Sequence, residues 1–434
     1  MEEDLPLGWC NARLGELVPA ARPKIPANPA SDLPFIGMDH IEPNGFDLIG
    51  QDRFAKMKSA GSYFAKDDVL YGRLRPYLNK VHKAKFEGVA SAEFIVLPSS
   101  EYHDSDFLKF LLHQRSFIEF AMSRSSGDRP RVKFDGIAEY EFSLPPLNEQ
   151  HRIVEKIETL FAELDKGEEA IRAVQTLLKR YRQSVLKAAV TGALIGSEPS
   201  GWQVVELGEL LDDIRYGTAK KCSHEPANTA VLRIPNVVGG EIDLDDLKYT
   251  DLTDKERDKL ALDAGDVLIV RSNGSANLVA RGAVVDEKAV GMGFAGYLIR
   301  LRVQQERLLP EFLHIYLDAP HTRQVIERQA RSTSGVHNIN SGEVKGLVVQ
   351  LPPLDEQRRI VEAVDEAIEK TRDLEIWCET ELRRSAALRQ SILKQAFAGK
   401  LVPQDPDDEP ASELLARIRA ERTSRPKARR GRQT

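Results

Sequence analysis

The residues of this 434-residue chain best suited to chemistry are cations, rings and amides rather than bond-breaking sets. Tyr71-Gly72-Arg73-Leu74-Arg75-Pro76-Tyr77-Leu78-Asn79-Lys80 interleaves basic and aromatic side chains just after an apolar run. Arg271-Ser272-Asn273-Gly274-Ser275-Ala276-Asn277 follows Val267–Val270 in the same way. An arginine can bond guanine O6 and N7 in bidentate fashion, and an asparagine can do so for adenine N6 and N7. Lysine and serine suit phosphate oxygens. Two further polar stretches stand at matching places, Gly127–Lys133 and Ser332–Ser341. The candidate DNA-contacting residues are thus Tyr71, Arg73, Arg75, Tyr77, Asn79, Lys80, Arg129, Arg131 and Lys133 in one part of the chain. In the other they are Arg271, Ser272, Asn273, Asn277, Arg331, Ser334, His337 and Asn338. Taken singly, each would equally suit a solvated surface. What singles them out is that they match in position across two halves.

Catalytic patterns fail one by one. Gly291–Gly296 fits GxGxxG but precedes a strand pattern, Tyr297–Arg300, and not the helix whose N-terminus would hold a phosphate. There is no GxxxxGK[ST] loop for ATP, and LPPL is not the [DN]PP[YF] loop of adenine methyltransferases. Glu343-Val344-Lys345 has nuclease ExK spacing without an acidic residue on a preceding strand. The histidines form neither HxxxH nor HExxH, and Cys10, Cys222 and Cys378 lie far apart, as reduced thiols rather than a disulfide or zinc set.

The elements that must position the candidates come from a repeat. Leu144–Gln150 reads LPPLNEQ and Leu351–Gln357 reads LPPLDEQ. Both continue as RIVE, and both end alike: Arg182-Gln183-Ser184-Val185-Leu186-Lys187 answers Arg389-Gln390-Ser391-Ile392-Leu393-Lys394. Gly192 answers Gly399. Two tandem half-molecules follow from that. In each, a proline pair ends an extended segment, Asn148 or Asp355 offers an N-cap, and a glycine stops a helix of about 40 residues, about 60 Å long. Ile153, Ile157, Leu160, Leu164, Ile171, Val174, Leu178, Tyr181 and Val185 form a heptad seam, broken only at Gly167. The second copy is weaker at the same places, through Leu374, Cys378, Ser385 and Leu388. Such helices are too long to bury in one domain, so the expectation is an antiparallel intramolecular coiled coil with an internal pseudo-twofold repeat.

The expected fold class is α+β: two α/β recognition domains joined by these two long helices. Residues 1–143 form the first domain and 144–196 the first spacer helix. Residues 197–350 form the second domain and 351–402 the second spacer helix; 403–434 are a loop, a short helix from Ser412 to Arg422, and a basic tail from Arg425. In the first domain Val69–Tyr71 and Phe94–Leu97 read as strands and Asp106–Met122 as helical. The second repeats the order with Val267–Val270, Tyr297–Val303 and a helix over Pro310–Ala330. The net charge of −6 argues mildly against nucleic acid, but Phe46–Phe86 is locally basic. No apolar run reaches the ~18 residues that span a bilayer, and the acidic start, MEEDLPLGWC, is no signal peptide. A cytoplasmic chain with no membrane contact is expected.

LPPLxEQxRIV twice, the RQSxLKxAxxGxL ending twice and LVPQDPDDEPASELLARIRAER near the C-terminus together resemble the specificity subunit (HsdS) of type I restriction-modification systems. The resemblance spans essentially the whole chain. It implies a non-catalytic subunit whose two target-recognition domains read the two parts of a split, asymmetric site in double-stranded DNA. It implies helical spacers that set the gap and carry two methyltransferase subunits, with two restriction subunits added. S-adenosylmethionine, ATP and Mg would then sit on those partners and no cofactor on this chain. A methylation-only complex, a self-contained methyltransferase or nuclease, and a coiled-coil adaptor without DNA contact are the alternatives.

Overall fold

The computed structural model describes residues 5–18, 20–333 and 335–424. Ser334 and the basic tail from Arg425 therefore lie outside the described residues. The chain divides into two compact units, one of residues 1–171 with 380–434, the other of residues 172–379. Each long helix, Leu147–Val190 and Leu354–Phe397, is 44 residues long and lends a segment to both units.

In the first unit the strand Val69–Gly72 lies between Val81–Lys83 and Phe94–Leu97, antiparallel to both. Its four residues are all buried, because the sheet is covered on both faces. One face meets the helices Ser105–Leu111 and Arg115–Ser123 and the roots of the long helices, through Phe107, Leu111, Phe117, Ile153, Ile157, Phe161 and Leu393. The other meets a smaller cluster around Ile36, Phe64 and Val96 under a five-stranded sheet. The C-terminal helix Ala411–Ser424 belongs to this unit and buries Leu414, Leu415 and Ile418 in its core.

The second unit repeats the plan. Val267–Val270 lies antiparallel between Gly282–Val284 and Leu298–Val303. The helices Pro310–Asp318 and Pro320–Gln329 pack on it with Val185, Leu186, Ile360 and Val364 of the long helices. Pro320 explains why the single helix expected here is two: it removes an N–H and seats a new first turn.

Within each unit the long-helix segments run antiparallel. In the first, Arg389 bonds Glu168 and Asp165, Ser385 bonds Glu168, and Gln404 reaches Glu149. In the second, Arg359 donates to the Ile195 carbonyl while Glu356 receives the Trp202 indole. The heptad expectation needs correction at its edges. Phe161 is buried where Leu160 is only partly so, and Tyr181, Leu374 and Leu388 are exposed. A 3.6-residue helix drifts about 20° per heptad away from a 3.5-residue seam. Gly167 does not interrupt the helix, and a Cβ there would meet nothing. Asn148 and Asp355 are not caps, since both helices already begin at the preceding leucine.

Two buried histidines make the first unit acid-sensitive. Burial pushes His103 down to about 4 and His113 to about 3; Ser100 bonds the first and Asn79 the second. An unfolded chain protonates them near pH 6.5. Between there and about 4 the unfolded state binds more protons, so stability falls as pH falls; above 6.5 the pair adds no slope. Urea unfolding should show a loss of about 3 kcal/mol from pH 7.5 to 5.5 from these two groups. His103→Gln and His113→Gln should each flatten the pH dependence. An unchanged slope in both would count against this assignment.

Candidate nucleic-acid interface

The strand–helix junctions show why LPPLxEQ occurs twice. Glu149 accepts the Trp9 indole N–H at 2.9 Å, and Glu356 accepts that of Trp202 at 3.0 Å. Gln150 Oε1 accepts the Asp104 N–H at 3.0 Å, and Gln357 Oε1 accepts the Leu309 N–H at 2.9 Å. Both glutamines also donate to the first proline carbonyl of their motif, Pro145 at 3.1 Å and Pro352 at 2.8 Å. Each glutamate thus ties the entering strand, and each glutamine ties the packed helix, to the root of a spacer.

The candidate loops meet in both units by the same backbone bonds. In the first, the Arg73 N–H donates to the Glu93 carbonyl at 2.9 Å and the Val132 N–H donates to the Arg73 carbonyl at 3.1 Å. The Arg75 N–H reaches the Pro130 carbonyl at 2.7 Å. In the second, Arg271 N–H donates to the Tyr297 carbonyl at 2.8 Å, and Ile339 N–H donates to the Arg271 carbonyl at 3.0 Å. Ser272–Asn273 then pairs with Val336–Asn338, which pairs with Arg331–Thr333. The polar stretch 332–341, expected as loop, thus contains a β-hairpin, because its backbone groups find partners on 272–273.

Side chains sort unevenly. Tyr71 and Asn79 must be withdrawn as DNA contacts. Tyr71 is fully buried in the strand Val69–Gly72 against Phe117, and Asn79 is buried with its amide on His113. Arg75, Tyr77, Arg129, Arg131 and Lys133 are exposed, and Arg73 is half-buried. Lys80 is half-buried and donates to the Met38 carbonyl. Arg75 and Asn79 both hold left-handed backbone, φ +51° and +41°, around the turn Pro76–Leu78. Arg131 forks onto Glu93 at 3.0 Å, which holds its proton above the ordinary arginine range. In the second unit Arg271, Ser272, Asn273, His337 and Asn338 are half-buried and Asn277 is exposed. Arg331 is placed by its backbone pairing alone, opposite Asn338.

The tip of the 272–281 loop is held from behind. Arg323, buried, donates to the carbonyls of Val279 and Asn277, and Arg281 donates to Asn277 while pairing with Asp318. Ala280 sits at φ +58°, a left-handed conformation kept by these anchors. Beside Arg271 opens a groove of about 650 Å³ that the sequence did not reveal. Lys220, Lys221, Arg233 and Lys248 line it with the rings of Tyr216 and Tyr297, and no carboxylate does. The Arg271 guanidinium lies 4.5 Å from the Tyr216 ring centroid. Adjacent Lys220-Lys221 was a readable signal; Arg233, Lys248, Tyr216 and Tyr297 come from separate segments and gave none. Two of its lining arginines, Arg233 and Arg271, keep a buried Nε without a hydrogen-bond partner, as do His337 Nδ1 and Asn338 Oδ1 on the strand paired with 272–273. Buried polar atoms are rarely left so, and a polar ligand would supply the missing bonds.

Among the described residues no group of three or more His, Cys, Asp or Glu is placed to hold a metal, and no helix is long and apolar enough to cross a membrane. Two unlike domains on duplicated helical roots, each with an arginine-centred loop junction, define a class of bipartite recognition proteins. The chain matches the type I restriction modification DNA specificity domain over residues 6–173 and again over 199–377, and it belongs to that family. It is 33% identical over 365 residues to the type I restriction enzyme StySPI specificity subunit of Salmonella potsdam, covering 79% of this chain and 77% of that one. It is 30% identical over 354 residues to the EcoKI specificity subunit of Escherichia coli K12, covering 78% and 75%. A solved chain from work on complex assembly and conformational transition of the type I R-M system matches with a TM-score of 0.67. That match covers 92% of this chain and 100% of the other at 22% identity, a likeness of fold.

Proposed function

We propose that this chain is the DNA-specificity subunit of a type I restriction-modification complex and reads a bipartite, asymmetric site in double-stranded DNA, one part through each unit. The observation that carries this is the recurrence of one loop junction, centred on Arg73 and on Arg271, with different side chains around it. Unlike readers on a common scaffold call for unlike half-sites. The chain itself carries no catalysis. Two methyltransferase subunits with S-adenosylmethionine, and two restriction subunits with ATP and Mg, supply adenine methylation and cleavage, in the cytoplasm. The test is genome-wide mapping of methylated adenines in cells expressing this chain with its methyltransferase partner. The expected result is one split motif with a fixed gap and two different halves. A contiguous motif, or methylation without a motif, overturns the reading.

A further inference from the structure

Arg73 and Arg271 share more than their backbone partners. Each is half-buried, and in each the Nε is buried without a hydrogen-bond partner. Neither guanidinium is committed to a carboxylate: Arg271 makes one long bond, to the Gly296 carbonyl at 3.4 Å, and stacks on Tyr216. Arg300 and Arg323 also leave Nε unpartnered, but their terminal nitrogens are spent on Asp213 and on backbone carbonyls, and other structural arginines are paired outright. Arg22 forks onto buried Asp68, and Arg302 onto buried Asp266. An arginine kept at one node in two otherwise dissimilar domains, and left unsatisfied there, is held for a ligand and not for the fold.

The positions beside the node differ. The carbonyl that receives the arginine N–H belongs to Glu93 in one unit and Tyr297 in the other. The residue before the returning N–H is Arg131 in one and Asn338 in the other. Glu93 and Arg131 form a bidentate pair at the surface. Tyr297 is 65% exposed, and Asn338 keeps an unpartnered Oδ1.

We propose a division of labour, resting on the function proposed above. Arg73 and Arg271 grip the sugar-phosphate backbone, the one feature that two different half-sites share. Glu93 with Arg131, and Tyr297 with Asn338, read bases and make the half-sites differ. The Glu93–Arg131 couple suits a G·C pair, with the guanidinium on guanine O6 and N7 and the carboxylate on cytosine N4; Asn338 suits adenine N6 and N7.

The test uses the full chain with its methyltransferase partner, and reads both the methylation motif and the salt dependence of binding to the cognate duplex. Arg73→Gln and Arg271→Gln should leave the motif unchanged, weaken binding about tenfold at ~0.1 M salt, and make the log K against log salt slope shallower by about 1. Arg73→Lys and Arg271→Lys should retain the slope and the motif; they decide the matter if a Gln variant fails to fold. The double variant Glu93→Tyr with Arg131→Asn should change the first half-site alone, and Asn338→Ala should relax the second alone. Altered bases in the Arg73 or Arg271 variants, or an unaltered motif in the Glu93/Arg131 and Asn338 variants, overturn the division. Failure of the unsubstituted complex to bind DNA by sequence would sink the proposed function instead.

Discussion

Replacing Gln357 by Leu is expected to destabilise the second unit by about 3 kcal/mol or more, although Gln357 touches no candidate DNA contact. Its side chain is wholly buried. Oε1 accepts the Leu309 N–H at 2.9 Å, and Nε2 donates to the carbonyls of Arg307 at 2.9 Å and Pro352 at 2.8 Å. Leucine fills the space and satisfies none of the three. A buried donor or acceptor left without its partner costs about 1–3 kcal/mol. The Gln150→Leu change orphans only the Asp104 N–H and the Pro145 carbonyl, so about 2 kcal/mol is expected there. The two effects should also separate in place. Limited proteolysis should first open residues 172–379 in the Gln357 variant, and residues 1–171 or 380–434 in the Gln150 variant. A Gln357→Leu chain with an unchanged urea midpoint would show that the repeated glutamine is not a structural tie.

These knots explain which parts of the molecule were legible. LPPLxEQ repeats because the same local problem recurs: a strand must turn into a helix through two prolines, and the side chains that follow must bind the groups left over. Local problems leave contiguous signatures, as do the helix stops. Gly192 and Gly399 hold φ +75° and +66°, and a Cβ on either would press on Trp202 or on Pro6 and Trp9. The central strands were equally plain, as short apolar runs at matching places. The binding surface was half legible. Tyr71 read as part of a basic, aromatic stretch, yet a strand buried on both faces takes its tyrosine into the core, and the neighbouring letters do not show this. Asn79 failed for a related reason: its amide answers His113, 34 residues away. The Glu93–Arg131 fork spans 38 residues, and the groove of the second unit gathers side chains from 216–222, 233–235, 248, 271 and 295–297. Surfaces built from distant segments leave no local pattern to find.

That groove gives the largest functional effect. Lys221→Gln with Lys248→Gln should lower affinity for cognate DNA between ten- and about a hundredfold near 0.1 M salt, and should make the salt slope shallower by about 2. Both lysines line a groove without carboxylates, and neither ammonium has a hydrogen bond or ion pair among the described residues. Lys220 and Arg233, by contrast, are already held by Glu256 and Asp246. A free ammonium that meets a phosphate releases a condensed counterion, and this release is a favourable term that rising salt removes. The chain as a whole is acidic at −6, so non-specific attraction by net charge cannot stand in for the lost groups. The methylation motif should not change, because ammonium–phosphate contacts place the protein on the duplex without reading it. Gel-shift or anisotropy titrations at several salt concentrations measure the slope, and methylation mapping reads the motif. If the double variant keeps the slope of the unsubstituted complex, the groove does not meet DNA, and the second unit's contacts lie on the 272–277 and 336–338 segments alone.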